Sequence, residues 1–431
     1  MTRKAMLNFK SPCACGHCFR RHLSGTLEND TVPEGSAVGR GWLSGKSFLV
    51  TYCEKSRMKR KIAIIGASYL QLPLVLKAKE MGLETLCFAW MDGAVARTAA
   101  NKFYPISVTE KEKILEVCRT ECIDAVTTIA SDVAVPVVAH LASNLNLIGN
   151  TPESAYISTN KYAMRKALSA RNVNCPKFLK ICALDNLSEK TAALRFPLIV
   201  KPCDRSGSSG VTKVETPEEL AAAVPVALTL SLGHEAIIEE FVAGAEVSVE
   251  TISWQGTHHI LAITDKLTSG APHFVELAHH QPSHHTAETQ TEIRRQTVLA
   301  LTTLGINYGA SHSEFLITDD GQVFVTEIGA RMGGDFIGSD LVQLSTGYDF
   351  LKGVVEVACG TFSLPNACSK CCSGVWFFSK KTPQVLDYIQ RKTHYPEIVR
   401  AEIFSMKLVE LTKSADRSGY FIYQSDKRLE L

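Results

Sequence analysis

The chain is predicted to be α/β and α+β: a doubly wound parallel α/β domain comes first, then a mixed α+β region, then a small β-rich end. Three observations predict this. Between residues 58 and 150, apolar runs of strand length alternate with amphipathic helical segments at the interval of βα units. Beyond residue 150, apolar strands end in charged residues beside Ser- and Gly-rich turns. Finally, His312–Gly334 has the pattern of a β-hairpin, with Ser313–Ile317 and Gln322–Glu327 at strand period and Asp319, Asp320 and Gly321 as turn chemistry between them.

Composition narrows the function classes. A chain of 431 residues should hold two or three domains. A formal net charge of +2 without a basic patch gives no reason to expect nucleic acid. No run of 18 apolar residues is present, so no membrane span is expected. Fourteen cysteines without a signal-peptide pattern suit free thiols in a reducing, cytoplasmic setting.

Residues 1–57 lack periodicity and read as a disordered leader or as sequence upstream of a start at Met58. Cys13, Cys15, Cys18, His17 and His22 could make a four-ligand zinc site, but the spacing fits no common finger.

In 58–150, Lys61–Gly66 is a buried strand, Leu72–Met81 a helix stopped by Gly82, and Glu84–Ala89 a second strand. Helix Lys111–Cys122, strand Ala125–Ile129, helix Val133–Ser143 and the apolar run Asn146–Gly149 follow. After the first strand a dinucleotide site would need G-x-G-x-x-G. The turn here is Gly66–Gln71 with bulky Tyr69 and Leu70, which excludes NAD and FAD.

In 151–311, Lys161 opens a helix after Asn160, and Lys201 ends the strand Leu198–Pro202. The following Ser206, Gly207, Ser208, Ser209, Gly210 and Val211 supply hydroxyls and unobstructed N–H groups, as a loop over phosphates does, but in no Walker order. Glu239, Glu240 and Val242 end another strand where exposed backbone can meet an adenine edge, and Glu246 could reach ribose hydroxyls.

Glu314 and Glu327 lie near the open ends of the hairpin strands. Carboxylates that close repel unless a cation sits between them. Hard oxygen ligands shared with phosphate suit Mg2+; solvated glutamates on a surface hairpin are the plain alternative. Arg331 follows in a turn with Gly329, Gly333 and Gly334, and its guanidinium suits phosphate.

Taken in order, Lys161, Lys201 with its loop, Glu239–Val242, Glu246, Glu314, Glu327 and Arg331 resemble the ATP-grasp superfamily, in its carbamoyl-phosphate-synthase-like and biotin-carboxylase-like branch. The likeness runs from Met58 to the end. It implies a pre-ATP-grasp domain (58–150), a two-subdomain ATP-grasp domain (151–365) and a C-terminal β subdomain (366–431). It also implies ATP and Mg2+ as cofactors, with Mn2+ able to substitute. Lys161, Lys201 and the loop would contact phosphates, Glu239, Glu240 and Val242 adenine, Glu246 ribose, and Glu314 and Glu327 the metal. Many members carry Asn where Gly329 stands, so one metal ligand would be missing or supplied by water. The run Glu327–Asp335 and the stretch His273–Pro282 are similar to L-amino acid ligases of the bacilysin-synthetase and carnosine-synthase types. There Glu276 would recognise a substrate amine, with Gly333 and Gly334 beside the substrate. Five histidines in His273–His285 offer a metal site as the alternative to a polar substrate loop.

Leu341–Gly360 is expected as one amphipathic helix, and Gly374–Phe378, Ala401–Leu411 and Tyr420–Tyr423 as strands. A last helix usual in relatives would be cut short at Leu431. Cys368, Cys371 and Cys372 read as loop thiols.

The expected activity is a carboxylate–amine ligase acting through an acyl phosphate, with Arg331 catalytic. Its partners would be a small-molecule carboxylate and an amine, in a cytoplasmic homodimer. The alternatives are an enzyme that phosphorylates bicarbonate and a catalytically silent ATP-binding regulator. A chain lacking residues 1–57 should keep its melting temperature and ATP affinity. Differential scanning fluorimetry and a nucleotide titration check this, and a large drop in either contradicts it.

Overall fold

The computed structural model describes residues 59–431 apart from 185, 208, 272 and 367–370. The Cys13–His22 cluster, Ser208 and Cys368 therefore lie outside the described residues. The structure builds three sheets in chain order.

The first sheet holds β1 (Lys61–Ile65), β2 (Glu84–Phe88), β3 (Lys102–Tyr104) and β4 (Ala125–Thr127), all parallel, in the order β3-β2-β1-β4. The run Asn146–Gly149 adds no strand. Both faces are apolar because both are covered, as a parallel sheet requires. Helices Lys111–Glu121 and Val135–Leu145 bury one face around Ile65, Phe88, Ile114 and Leu141. Helices Leu72–Glu80 and Phe350–Cys359 bury the other, so a segment from far along the chain completes this domain. Strand order reverses between β1 and β4. The loops Gly66–Gln71 and Thr128–Asp132 thus leave adjacent carboxyl ends and form the crevice where such sheets take ligands.

The second sheet, β5 (Phe178–Ile181), β6 (Leu198–Pro202), β7 (Thr212–Val214) and β8 (Ala236–Glu240), is antiparallel in the order β5-β8-β6-β7. It packs on helix Pro217–Leu230 around a core of its own that includes Leu198, Val200, Val224 and Ile238.

The third sheet has eight strands: β9 (Ala245–Trp254), β10 (Thr257–Thr268), β11 (Glu276–Gln281), β12 (Gly309–Ile317), β13 (Val323–Gly329), β14 (Cys372–Phe378), β15 (Ile398–Ile403) and β16 (Gly419–Ser425). Their order is β13-β12-β9-β10-β11-β14-β16-β15. The hairpin read from the sequence is β12–β13. Strands of the 366–431 segment do not close a sheet of their own; β14 pairs with β11 and extends this one. The run Ala401–Leu411 is a strand only as far as Ile403.

The helix expected over Leu341–Gly360 is broken. A π-helical turn, Ile337–Leu341, leads into helix Val342–Thr346, which stops at Gly347 with φ +77°. Asp349 then caps a new helix by accepting from the Lys352 N–H at 2.9 Å. Between β8 and β9, Gly244 passes directly over the backbone of Ile317 and Thr318, where a side chain has no room.

Within β14, a Cβ added at Gly374 would come within 2.5 Å of the Tyr423 ring and 2.7 Å of the His280 imidazole. Gly374→Ala should therefore destabilise the fold by about 1–3 kcal/mol through overpacking. Urea denaturation measures this, and an unchanged midpoint would contradict it.

Candidate active site

Four chain regions bring charge to one cleft. Lys201, next to last on β6, makes an ion pair with Glu239 of β8 at 2.6 Å, and Arg165 pairs with the other Glu239 oxygen at 2.6 Å. Arg165 is fully buried and also donates to the Thr326 carbonyl. Burial would raise the Glu239 pKa, but Arg165 and Lys201 outweigh it and hold the carboxyl below its ordinary value. For Lys201, burial prevails over the Glu239 charge and lowers its pKa.

Lys161 begins helix Lys161–Ala170, whose cap Asn160 accepts from the Ala163 N–H at 3.0 Å. Its ammonium donates to the Arg205 carbonyl at 2.6 Å and to Glu327 at 3.1 Å. It thereby ties the loop after β6 to the β12–β13 hairpin.

Glu314 and Glu327 stand opposite each other in register on β12 and β13. Glu314 accepts from Lys266 of β10 at 2.7 Å and meets His312 Nε2 at 3.3 Å. Lys266 also contacts Glu246 closely and lies 3.9 Å from Glu276. Burial opposes both charges. Even so, Lys266 and His312 keep Glu314 well below the usual carboxylate range, and the carboxylates keep Lys266 well above its ordinary value. Burial likewise disfavours charge on His312, yet Glu250, bonded to its Nδ1, lifts the pKa to about 9. Glu246 is shifted upward by burial, with Lys266 opposing.

Arg331 is held by a group from the first domain. Its Nε and Nη2 donate to the two Asp132 oxygens at 2.9 and 2.8 Å, a planar two-point pair. The Ala130 N–H bonds the Met332 carbonyl at 3.1 Å beside it. Burial would raise the Asp132 pKa, but the guanidinium lowers it below normal. This pair also accounts for Gly329: a Cβ there would sit 2.9 Å from Asp132 Oδ1 and 3.1 Å from Arg331 Cζ. The space an asparagine would need is filled by the pair. Farther along, Asp335 is bound at two points by Arg417, at 2.8 and 2.9 Å.

Lys161, Lys201, Lys266, Glu314, Glu327 and Arg331 line a cavity of about 460 Å³, together with Ser206, Gly207, Ser209, Val211, Glu276, Gly334 and, from the first domain, Tyr69 and Asp132. A second cavity of about 590 Å³ is walled by Glu239, Glu240, Val242 and Glu246. Lys201, Lys266, Glu314 and Glu327 belong to both.

Two of the expected site residues are engaged by other groups. The Glu239 carboxylate is engaged by Arg165 and Lys201, so only its main chain is left for an adenine edge. The Gly333 N–H donates to Glu250 Oε2 at 3.0 Å, and of the two glycines it is Gly334 that lines the cavity. Among the described residues no three His, Cys, Asp or Glu side chains are grouped as metal ligands; in the histidine-rich stretch His279 and His280 are buried on β11 and His284 bonds Asp265. For a divalent cation, Glu314 and Glu327 supply two carboxylates already balanced by cationic side chains. That donor set fits an ion that brings further oxygens with it, as Mg2+ on phosphates does.

Sequence reading missed Asp132, Lys266, Glu250 and Arg165. Arg165 had a signal, since it lies one helical turn from Lys161 and shares its face. So did Lys266, a charge inside an apolar strand. Asp132 had none.

Residues 194–340, which carry Lys201, Lys266, Glu314, Glu327 and Arg331 of this cleft, match a family model described as the ATP-grasp domain. An ATP-grasp enzyme, fsqD, of Aspergillus fumigatus is 32% identical over 192 residues, covering 41% of this chain and 32% of that protein. The carbamoyl phosphate synthase large chain of a Thermoanaerobacter species is 25% identical over 304 residues, 70% of this chain and 26% of that one. The chain thus spans less than two thirds of the length of these curated relatives. The L-amino acid ligase of Bacillus licheniformis superposes with a TM-score of 0.72 at 24% identity, over 86% of this chain and 95% of that one. These likenesses fit the branch indicated by the sequence motifs.

Glu239→Ala would leave Arg165 and Lys201 buried without their counter-charge and should cost about 3–5 kcal/mol of stability. Because the folded pKa of Glu239 lies below its unfolded value, its stabilisation is complete above the ordinary carboxylate range. It is lost as pH falls through the folded value. Chemical denaturation at pH 7 and at pH 4 should show a smaller difference between variant and parent at the lower pH.

Proposed function

We propose that this chain is an ATP- and Mg2+-dependent carboxylate–amine ligase that forms an acyl phosphate and releases ADP and phosphate, joining amino acids into dipeptide-like amides. The observation that carries this reading is the shared wall of the two cavities. Lys201, Glu314 and Glu327 stand where a nucleotide lying along Glu239–Glu246 would place the end of its triphosphate, and Arg331 faces the same cavity.

Joining a carboxylate to an amine in water is uphill, because the carboxylate is a poor electrophile. Transfer of the γ-phosphoryl group gives it a phosphate leaving group. That transfer needs positioning and charge neutralisation more than covalent help. Lys161 and Lys201 hold phosphate oxygens, and the Ser206–Val211 loop covers them and excludes water from the anhydride. Glu314 and Glu327 would hold Mg2+, which when bound neutralises charge on the phosphates. Arg331, fixed by Asp132 and with Nη1 making only a long bond of 3.4 Å to the Met332 carbonyl, would turn that nitrogen to the transferring group and then to the oxyanion formed as the amine attacks. Glu276, with the Ser414 hydroxyl 3.2 Å away, is the acidic group placed for a substrate ammonium.

Incubation with ATP, Mg2+ and amino-acid pools should release ADP and phosphate in step with product. Chromatography that finds AMP instead would rule out the acyl phosphate. Glu327→Ala should abolish phosphate release. Arg331→Ala should depress kcat, whereas Glu276→Ala should raise KM for the amino acid more than it lowers kcat.

A further inference from the structure

Lys266 is a buried charge in the cavity wall that the proposed mechanism does not use. It stands opposite Glu246 in the β9–β10 register, and its ammonium reaches over β9 to Glu314 on β12 at 2.7 Å. Glu276 on β11 lies 3.9 Å away. One buried cation thus touches or neighbours three carboxylates from three strands, to which the reading above gives three tasks: ribose, metal and amine.

We propose that Lys266 is a resident cation that withholds Glu314 from divalent metal until nucleotide is bound, so that metal enters only together with the phosphates. The inference rests on Glu314 being a metal ligand. A divalent ion placed between Glu314 and Glu327 in the nucleotide-free cleft would lie within a few ångströms of this ammonium, at low dielectric, and would compete with it for the same oxygen. Bound nucleotide changes both terms. Ribose hydroxyls occupy Glu246, loosening one anchor of Lys266, and the phosphates bring negative charge enough for a second cation beside it. His312, at 3.3 Å from Glu314, remains as the second contact that keeps the carboxylate oriented.

Direct Mn2+ binding to the full chain, followed by electron paramagnetic resonance, tests this without any turnover. Wild type should bind Mn2+ weakly alone and tightly with ADP, and Glu314→Ala should lose the ADP-dependent signal. Lys266→Met should tighten nucleotide-free binding by about tenfold or more, because the carboxylates lose their counter-charge. Lys266→Arg keeps the charge and should behave as wild type. No gain in Lys266→Met, or an equal gain in Lys266→Arg, overturns the inference and leaves the metal assignment standing. If Lys266→Met does not fold, wild type decides, and equal Mn2+ affinity with and without ADP overturns it. Failure of every form to bind Mn2+, ADP included, overturns the metal assignment and this inference with it.

Discussion

Two carboxylates placed directly across from each other on adjacent strands repel, and much of the cleft is arranged around that repulsion. Glu314 and Glu327 are in register on β12 and β13, and each has a cation of its own: Lys266 and His312 for the first, Lys161 for the second. Those cations need partners in turn. Glu250 is buried beneath His312, and its second oxygen takes the Gly333 N–H, so the turn after Arg331 is bonded to the same network. Lys161 carries the loop after β6. The charge problem on one hairpin is solved by groups from several strands, and their mutual positions follow from it.

The second constraint is the bidentate pair between Asp132 and Arg331. It is delivered by the crevice at which the first sheet reverses its strand order, the place where related sheets bind a cofactor. Here the crevice holds a protein guanidinium. A domain without the glycines of a dinucleotide site uses this crevice to orient an arginine that follows a strand of the neighbouring sheet. Gly329 fits the same account, since the pair stands where a side chain at that position would go.

What was legible in the sequence is local. Period-two apolar runs, turn chemistry at Asp319–Gly321 and strand-ending lysines are short-range signals, and they located β1, β2, β6, β12 and β13. The two carboxylates could be paired because a hairpin fixes their register. Asp132 could not be found, being 199 residues from Arg331 and lying in a loop with no periodicity. Gly347 and Asp349 together form a stop-and-start signal, hidden within an amphipathic pattern that continues through them. Glu239 was assigned by its position at a strand end, but what decides its partners is the face of β8 that meets Arg165.

The separate cores have a mechanical meaning. Helix Phe350–Cys359 shares one apolar cluster with β1, β2, β9 and β12, so the first and third sheets are welded into a single body. The second sheet keeps its own core with helix Pro217–Leu230 and is joined to that body by ion pairs and hydrogen bonds, one aromatic contact between Phe178 and Tyr162, and two chain crossings. Solvent-reachable ions and hydrogen bonds can be exchanged for water or ligand more readily than a shared apolar core can be parted, although the buried Arg165–Glu239 pair resists such exchange. The second sheet is thus a leaf set against a frame, and at Gly244, where the chain crosses from one to the other, backbone rides on backbone. A side chain there would act as a wedge, and the Arg165–Glu239 pair and the Lys161–Arg205 bond, which cross the same boundary, would be the first contacts to stretch.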